Sequence, residues 1–333
     1  MFEFKWTFGV DRCVTASGKQ LAKIELDRAF AAARRYARKS RAKSTWRAYR
    51  SDWQQFFEAW CQTVGLQPLP AAPETISMFV ANQASDGLNP STLTRRLAAI
   101  RLVHLGAGHA SPHNTLTVTE VMLGIRRDWG RPPDRKAPAT DDQIKKMVDA
   151  VEPEFAKGLR DRALLLFGFA GAFRRSELVG LSTWNLEYCN EGVKVTIEVS
   201  KTDQEAQGQT IAILRQPGSP YCPVQALENW LTVARIARGA IFRRMHRGDK
   251  PGVARLSAQN VAMIVKNYAR KVGLDSSLYS GHSLRRGFLT SAARNRASIF
   301  KMADQSRHKS LDVLRQYVQE EDLFEDNAGD GLL

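Results

Sequence analysis

The chain has 333 residues, 43% hydrophobic and 25% charged, which is ordinary globular usage and excludes wholesale disorder. At ~100–200 residues per domain, that length predicts two domains. Lys and Arg number 49 against 34 Asp and Glu, a formal charge of +15 that points to a polyanionic partner, nucleic acid ahead of an acidic membrane surface.

The four cysteines, at 13, 61, 189 and 222, form no CxxC pair and support neither a disulfide framework nor a zinc site. They read as thiols in a reducing compartment. The N-terminus lacks a signal-peptide layout, and the longest apolar run, Ala163–Phe173, is too short to span a bilayer. A soluble cytoplasmic chain, nucleoid-associated, is expected.

Residues 1–24 read as an irregular arm. From Glu25 the spacing of Leu26, Phe30, Ala33 and Ala37 predicts a helix. A second helix, capped by Ser44 or Thr45, carries Trp46, Tyr49, Trp53, Phe56, Phe57 and Trp60 on one face. Further helices are expected from Pro73, from Pro90 and after Thr117, completing an all-helical bundle over 25–128. The charge is uneven: residues 1–138 hold 21 basic and 11 acidic residues. Arg34, Arg35, Arg38, Lys39, Arg41, Lys43, Arg47 and Arg50 crowd a stretch with no acid between Arg28 and Asp52.

The segment from Arg126 to Thr140 holds three prolines, a glycine and five basic residues, and its part from 129 onward is taken as the domain boundary. A second domain, 141–333, opens on Asp141-Asp142 as a helix start. Arg160 to Leu181 is a strongly apolar helical segment broken near Gly168–Ala172. Lys194–Ser200 and Gln209–Leu214 alternate as two strands joined by a turn, and helical patterns resume from Pro223 to about Glu320. The fold class predicted is mainly α with one small antiparallel sheet in the second domain. The final segment, 320–333, has six acids and no base.

Chemistry concentrates in four places: GAFRRSEL with Arg174 and Glu177, Lys201 in the turn, GHSLRRGF with His282 and Arg285, and RHKSLDVLRQYV with His308 and Tyr317. Each piece alone reads as a surface basic pair, a solvated lysine, a buried histidine or a helix-face tyrosine. Together they suit phosphoryl transfer. Paired guanidiniums fork onto non-bridging phosphate oxygens, and they stabilise a pentacoordinate phosphorane. Histidine handles a proton, lysine protonates a leaving oxygen, and tyrosine serves as nucleophile. No Asp/Glu cluster suited to Mg²⁺ accompanies them, so neither metal nor cofactor is expected.

This ordered set resembles the tyrosine site-specific recombinases of the phage-integrase family, most of all the Cre-type members. Arg174 and Glu177 match the family's Arg-x-x-Glu-Leu box, and Lys201 in SKTD matches its hairpin lysine. His282 and Arg285 match the His-x-x-Arg box. His308 and Tyr317 match the last box at its nine-residue spacing. STWRAYRSDWQQFFEAWC and STLTRRLAAIRLVH resemble helices of the family's core-binding domain. Arg175 stands where an aliphatic residue is usual; Ala172 and Arg307 stand where Gly is.

The resemblance implies a C-shaped clamp on double-stranded DNA, a helical core-binding domain and a catalytic domain. The basic run at 34–50 would neutralise phosphates. Arg47, Arg95 and Arg96, and in the second domain Gln259 and Asn260, would face the grooves, where Asn and Gln suit adenine and Arg suits guanine. It also implies a homotetramer on paired inverted-repeat sites, with the C-terminal segment docking on a neighbouring protomer. A relaxing topoisomerase or telomere resolvase, and a DNA-binding protein without catalysis, are the alternatives.

Overall fold

The structure, a computed structural model, describes residues 20–130, 136–198, 208–308 and 310–321. It divides into two compact units, 1–133 and 134–333.

The first unit is helical throughout its described residues: α1 (Gln20–Lys39), α2 (Lys43–Ser51), a π-helical stretch (Asp52–Glu58), α3 (Ala59–Val64), α4 (Pro73–Ser85), α5 (Pro90–Gly106) and α6 (Leu116–Trp129). α1 begins at Gln20, which shortens the expected arm; residues 1–19 lie outside the described set. α2 starts on Ala42 with no side-chain cap, so neither Ser44 nor Thr45 has the capping role expected. The π-helical stretch shifts the phase of the aromatic face. Trp53 and Phe57 enter the core while Phe56 turns outward, 38% exposed. The core closes over Phe57, Ile76, Phe79, Leu93, Ile100 and Val118. Asn89 caps α5 by accepting from the Ser91 amide. α6 runs to Trp129, so the helix takes in the first residue of the expected boundary segment.

The second unit contains α7 (Asp141–Asp149), α8 (Ala156–Ala170), α9 (Arg175–Gly180), β1 (Leu186–Cys189), β2 (Gly192–Ile197), β3 (Gln209–Leu214), α10 (Pro223–Val233), β4 (Arg243–His246), β5 (Lys250–Arg255), α11 (Ala258–Lys271), α12 (Ser283–Arg294), α13 (Ile299–Ser306) and α14 (Asp312–Glu321). Strands β1, β2 and β3 form an antiparallel sheet in that order, with Val193 opposite Ile213 and Val195 opposite Ile211. β4 and β5 form a second antiparallel pair, so the expectations of one sheet and of helix throughout from Pro223 are corrected. The main core joins α7, α8, α10, α11 and the inner face of the first sheet. A smaller cluster of Leu289, Ala293, Met302 and Leu314 packs α12, α13 and α14 together, with Tyr317 against it.

Two left-handed turns shape the second unit near its arginines. The apolar helix α8 ends in a turn where Ala172 takes a left-handed conformation, φ 43°. α13 ends at Arg307, also left-handed, φ 59° and ψ 44°. A side chain in that region costs roughly 1–2 kcal/mol, which the surrounding packing and hydrogen bonds must offset. The chain entering the unit is tied down by the amides of Ala137 and Ala139, which donate to Leu278 and Ser283 carbonyls at 2.8 and 2.9 Å.

Candidate active site

The turn after α8, the start of α9, the start of α12 and the α13–α14 junction converge. At the first, Glu177 is buried, its side chain 1% exposed. Its carboxylate accepts from Arg174 Nη1 at 2.6 Å and from the Arg174 amide at 2.9 Å. It also accepts from Arg307 Nη2 at 2.8 Å. Burial pushes this carboxyl up, but the charge of Arg307 and the bonds from Arg174 outweigh it and hold it below the usual range. Arg174 is half-buried against Glu177, while Arg175 is exposed.

Arg285 lies in the first turn of α12 and is 1% exposed. Its Nη1 donates to Ala172 O at 2.8 Å, and Nη2 lies 3.2 Å from His308 Nε2. The Ser306 hydroxyl donates to Met302 O at 2.6 Å and lies 2.8 Å from His308 Nδ1, while Arg285 Nη2 lies 3.3 Å from Nδ1, so the ring is held between Ser306 and Arg285. Burial, then the charges of Arg285 and Arg174, lower the His308 pKa to about 4. Arg285 itself is lowered to about 9 by burial and by Arg174 and Arg307. His282 sits at the rim, with its amide on Ser280 Oγ at 3.2 Å. Desolvation and the flanking arginines 285, 286, 174 and 175 keep it below its ordinary value.

Tyr317 is half-buried on α14 and packs against Leu289, Ala293, Met302 and Leu314. The Arg286 guanidinium lies 5.8 Å from its ring centroid and donates to the Lys136 carbonyl. Lys201 lies outside the described residues. The structure therefore brings Arg174, Glu177, His282, Arg285 and His308 into one cluster beside Tyr317. It adds Arg307, which stood in the sequence only as a departure from glycine, and Ser306, whose hydroxyl lies 2.8 Å from His308 Nδ1. Among the described residues no three His, Cys, Asp or Glu side chains gather as they would around a metal.

The residues expected to meet DNA divide. Arg47 is exposed on α2, among exposed Arg35, Lys39, Lys43 and Arg50. Gln259 and Asn260 are exposed in the first turn of α11, capped by Ser257 Oγ. Arg95 is half-exposed and forks onto Asp52 at 2.9 and 3.0 Å. Arg96 is corrected: it is 4% exposed, stacks over Phe56 at 3.7 Å, donates to Gln83 and sits 3.8 Å from Asp52. It is an interior cation and faces no groove. Asp52, the acid that ends the basic stretch, is the signal that identifies its role.

A helical unit with a basic face, and a second unit presenting a phosphate-suited arginine cluster beside a tyrosine, define a DNA-binding strand transferase. Residues 139–323 match the model of the phage integrase family, and 34–109 match its N-terminal SAM-like domain. An integrase/recombinase XerD homolog of Selenomonas ruminantium is 41% identical over 299 residues, covering 89% of this chain and 87% of the relative. The fold is similar to that of the XerH recombinase bound to palindromic difH DNA, with 15% identity, TM-score 0.56, and 75% and 69% of the two chains covered. It is similar also to a lambda integrase dimer on a core site, with 16% identity, TM-score 0.55, and 91% and 81% covered. The chain belongs to the phage integrase family: it is a site-specific tyrosine recombinase, an enzyme that cleaves and rejoins DNA. The relatives named carry Xer and integrase names, not Cre. No described helix is long and apolar enough to cross a membrane.

Proposed function

We propose that Tyr317 attacks a scissile phosphate, forming a 3′-phosphotyrosyl bond as the P–O5′ bond breaks and a 5′-hydroxyl leaves. The 5′-hydroxyl of a partner duplex then attacks that bond, restores a phosphodiester and releases Tyr317. Two such rounds exchange four strands through a Holliday junction. Arg174 and Arg285 hold the non-bridging oxygens, where fixed charge counts most as the phosphorane forms. Glu177 orients Arg174. His282 hydrogen-bonds the phosphate, His308 supports the arginines from beside Arg285, and Lys201 protonates the leaving 5′-oxygen. Neither metal nor cofactor is required by these steps.

The observation that carries this reading is the surplus of cations. Arg174 and Arg307 share one buried carboxylate, Glu177, with Arg285 beside them. An arriving phosphate relieves that repulsion. Arg47, Gln259 and Asn260 contact DNA, with Arg95 at the edge of the same basic unit. A homotetramer on two paired sites goes with this chemistry, each site carrying inverted half-sites. The acidic segment 320–333 docks on a basic surface of a neighbouring protomer. Such an enzyme works in the cytoplasm, on the nucleoid.

The test is covalent trapping on nicked duplexes drawn from DNA flanking the gene. Wild-type protein is expected to give a denaturation-resistant adduct, and Tyr317→Phe to bind the same DNA without one. Equal adduct from both proteins would overturn the assignment of Tyr317.

A further inference from the structure

Arg307 closes α13 in a left-handed turn that glycine would adopt without strain. A side chain there is costly, and this one is a cation turned into the interior, 4% exposed. Burying an ion loses several kcal/mol of hydration unless its partners are well placed. Its Nη1 donates to Gly171 O at 3.0 Å and Gln305 O at 2.6 Å. Its Nη2 donates to Ala172 O at 3.1 Å and Glu177 Oε2 at 2.8 Å. The plane lies 5.3 Å from the Phe173 ring centroid.

Those acceptors are not scattered. Glu177 is the carboxylate that holds Arg174, and Ala172 O is the carbonyl that holds Arg285. Gln305 and Arg307 flank Ser306 and precede His308, whose ring Ser306 orients. One planar fork therefore touches the immediate support of both phosphate-suited arginines and the turn that presents His308. Lysine cannot span four acceptors from a single point charge. Had the turn needed only a left-handed residue, glycine would serve; had Glu177 needed only a counter-ion, Arg174 already supplies one.

We infer that Arg307 is a positioning residue for strand cleavage, locking Arg174 through Glu177 and Arg285 through the Ala172 carbonyl. The inference rests on the roles proposed for Tyr317 and Arg174. It predicts coupling: part of what Arg307 contributes to cleavage passes through Arg174.

The test compares single-turnover adduct formation on a nicked site by wild type, Arg307→Met, Arg174→Ala and the double variant, with DNA affinity measured in parallel. Arg307→Met is expected to slow cleavage by about 30-fold or more while affinity stays within about threefold. In the Arg174→Ala background the route through Glu177 is gone and only that through the Ala172 carbonyl remains, so the same change should cost at least about threefold less than it does in wild type. The same factor in both backgrounds, or cleavage by Arg307→Met near the wild-type rate, overturns the inference. If Arg307→Met does not melt cooperatively, Arg307→Lys decides. It keeps the charge on Glu177, so slowed cleavage with normal binding supports positioning, and normal cleavage refutes it. No adduct from wild type would instead sink the assignment of Tyr317.

Discussion

Gly287 lies on α12, two residues beyond Arg285, where the helix backbone meets the chain entering the second unit. A Cβ added there would overlap the Ala139 carbonyl and lie 3.0 Å from its nitrogen. Backbone, not a flexible side chain, is what it meets, so Gly287→Ala must move either α12 or residues 137–139. The Ala139–Ser283 hydrogen bond, 2.9 Å, is the first interaction to break. That bond is worth about 1 kcal/mol and overpacking about 1–3, so destabilisation by about 2–4 kcal/mol is expected. A displaced α12 also moves Arg285 off the phosphate, so adduct formation should fall about 10- to 100-fold. Urea unfolding should show the lower midpoint at unchanged slope. Gly124, mid-helix on α6 with open space around it, is the control. Gly124→Ala should gain roughly 0.5–1 kcal/mol. An unchanged midpoint for Gly287→Ala, alongside the Gly124→Ala gain, would refute the close approach.

Two further outcomes separate support from recognition. Arg96→Met should cost about 1–3 kcal/mol in unfolding experiments, because Gln83 and part of Asp52 lose a buried partner, and should leave DNA affinity unchanged. Arg47→Ala should do the reverse, leaving stability intact while the salt dependence of binding shrinks by about one unit of slope. On pH, the folded His308 value of about 4 lies below its ordinary 6.5. Its contribution is complete above pH 6.5 and is lost as pH falls through that value towards 4, because the unfolded chain takes the proton first. Thermal melts should be flat from pH 7 to 8 and decline below 6.5. A His308→Gln protein that declined just as steeply would remove His308 as the cause.

The parts of the fold legible in the sequence are those where one chemical signal dominates. Pro73 and Pro90 start helices because proline's missing donor is harmless there. β2 and β3 alternate because one face is buried against the main core. β4 and β5 escaped because their side chains do not alternate: Arg243–His246 is basic, and Val253 on β5 is 85% exposed. The short β1 has exposed central residues and gives too few positions for a period to show. The clustering of Arg174, Glu177, Arg285 and His308 was legible by the spacing of their motifs, which also sets Arg174 apart from Arg175 and Arg285 from Arg286. Arg95 and Arg96 carry no such ruler. Their fates depend on a π-helical stretch more than 30 residues earlier, which places Asp52 beneath them. Arg307 was visible only as an oddity, because its partners, Gly171, Ala172 and Glu177, come from a distant segment.

The distribution of the basic residues bears on how readily the enzyme can be redirected to new DNA. Arg47, Gln259 and Asn260 are exposed and stabilise little of the fold through their side chains, so a library varying them keeps most members folded. Arg96 has the opposite character despite its place on a helix that resembles a groove-facing one. Randomising it with Arg95 as a recognition pair would cost most of the library stability, unless Asp52, Phe56 and Gln83 were varied together with it.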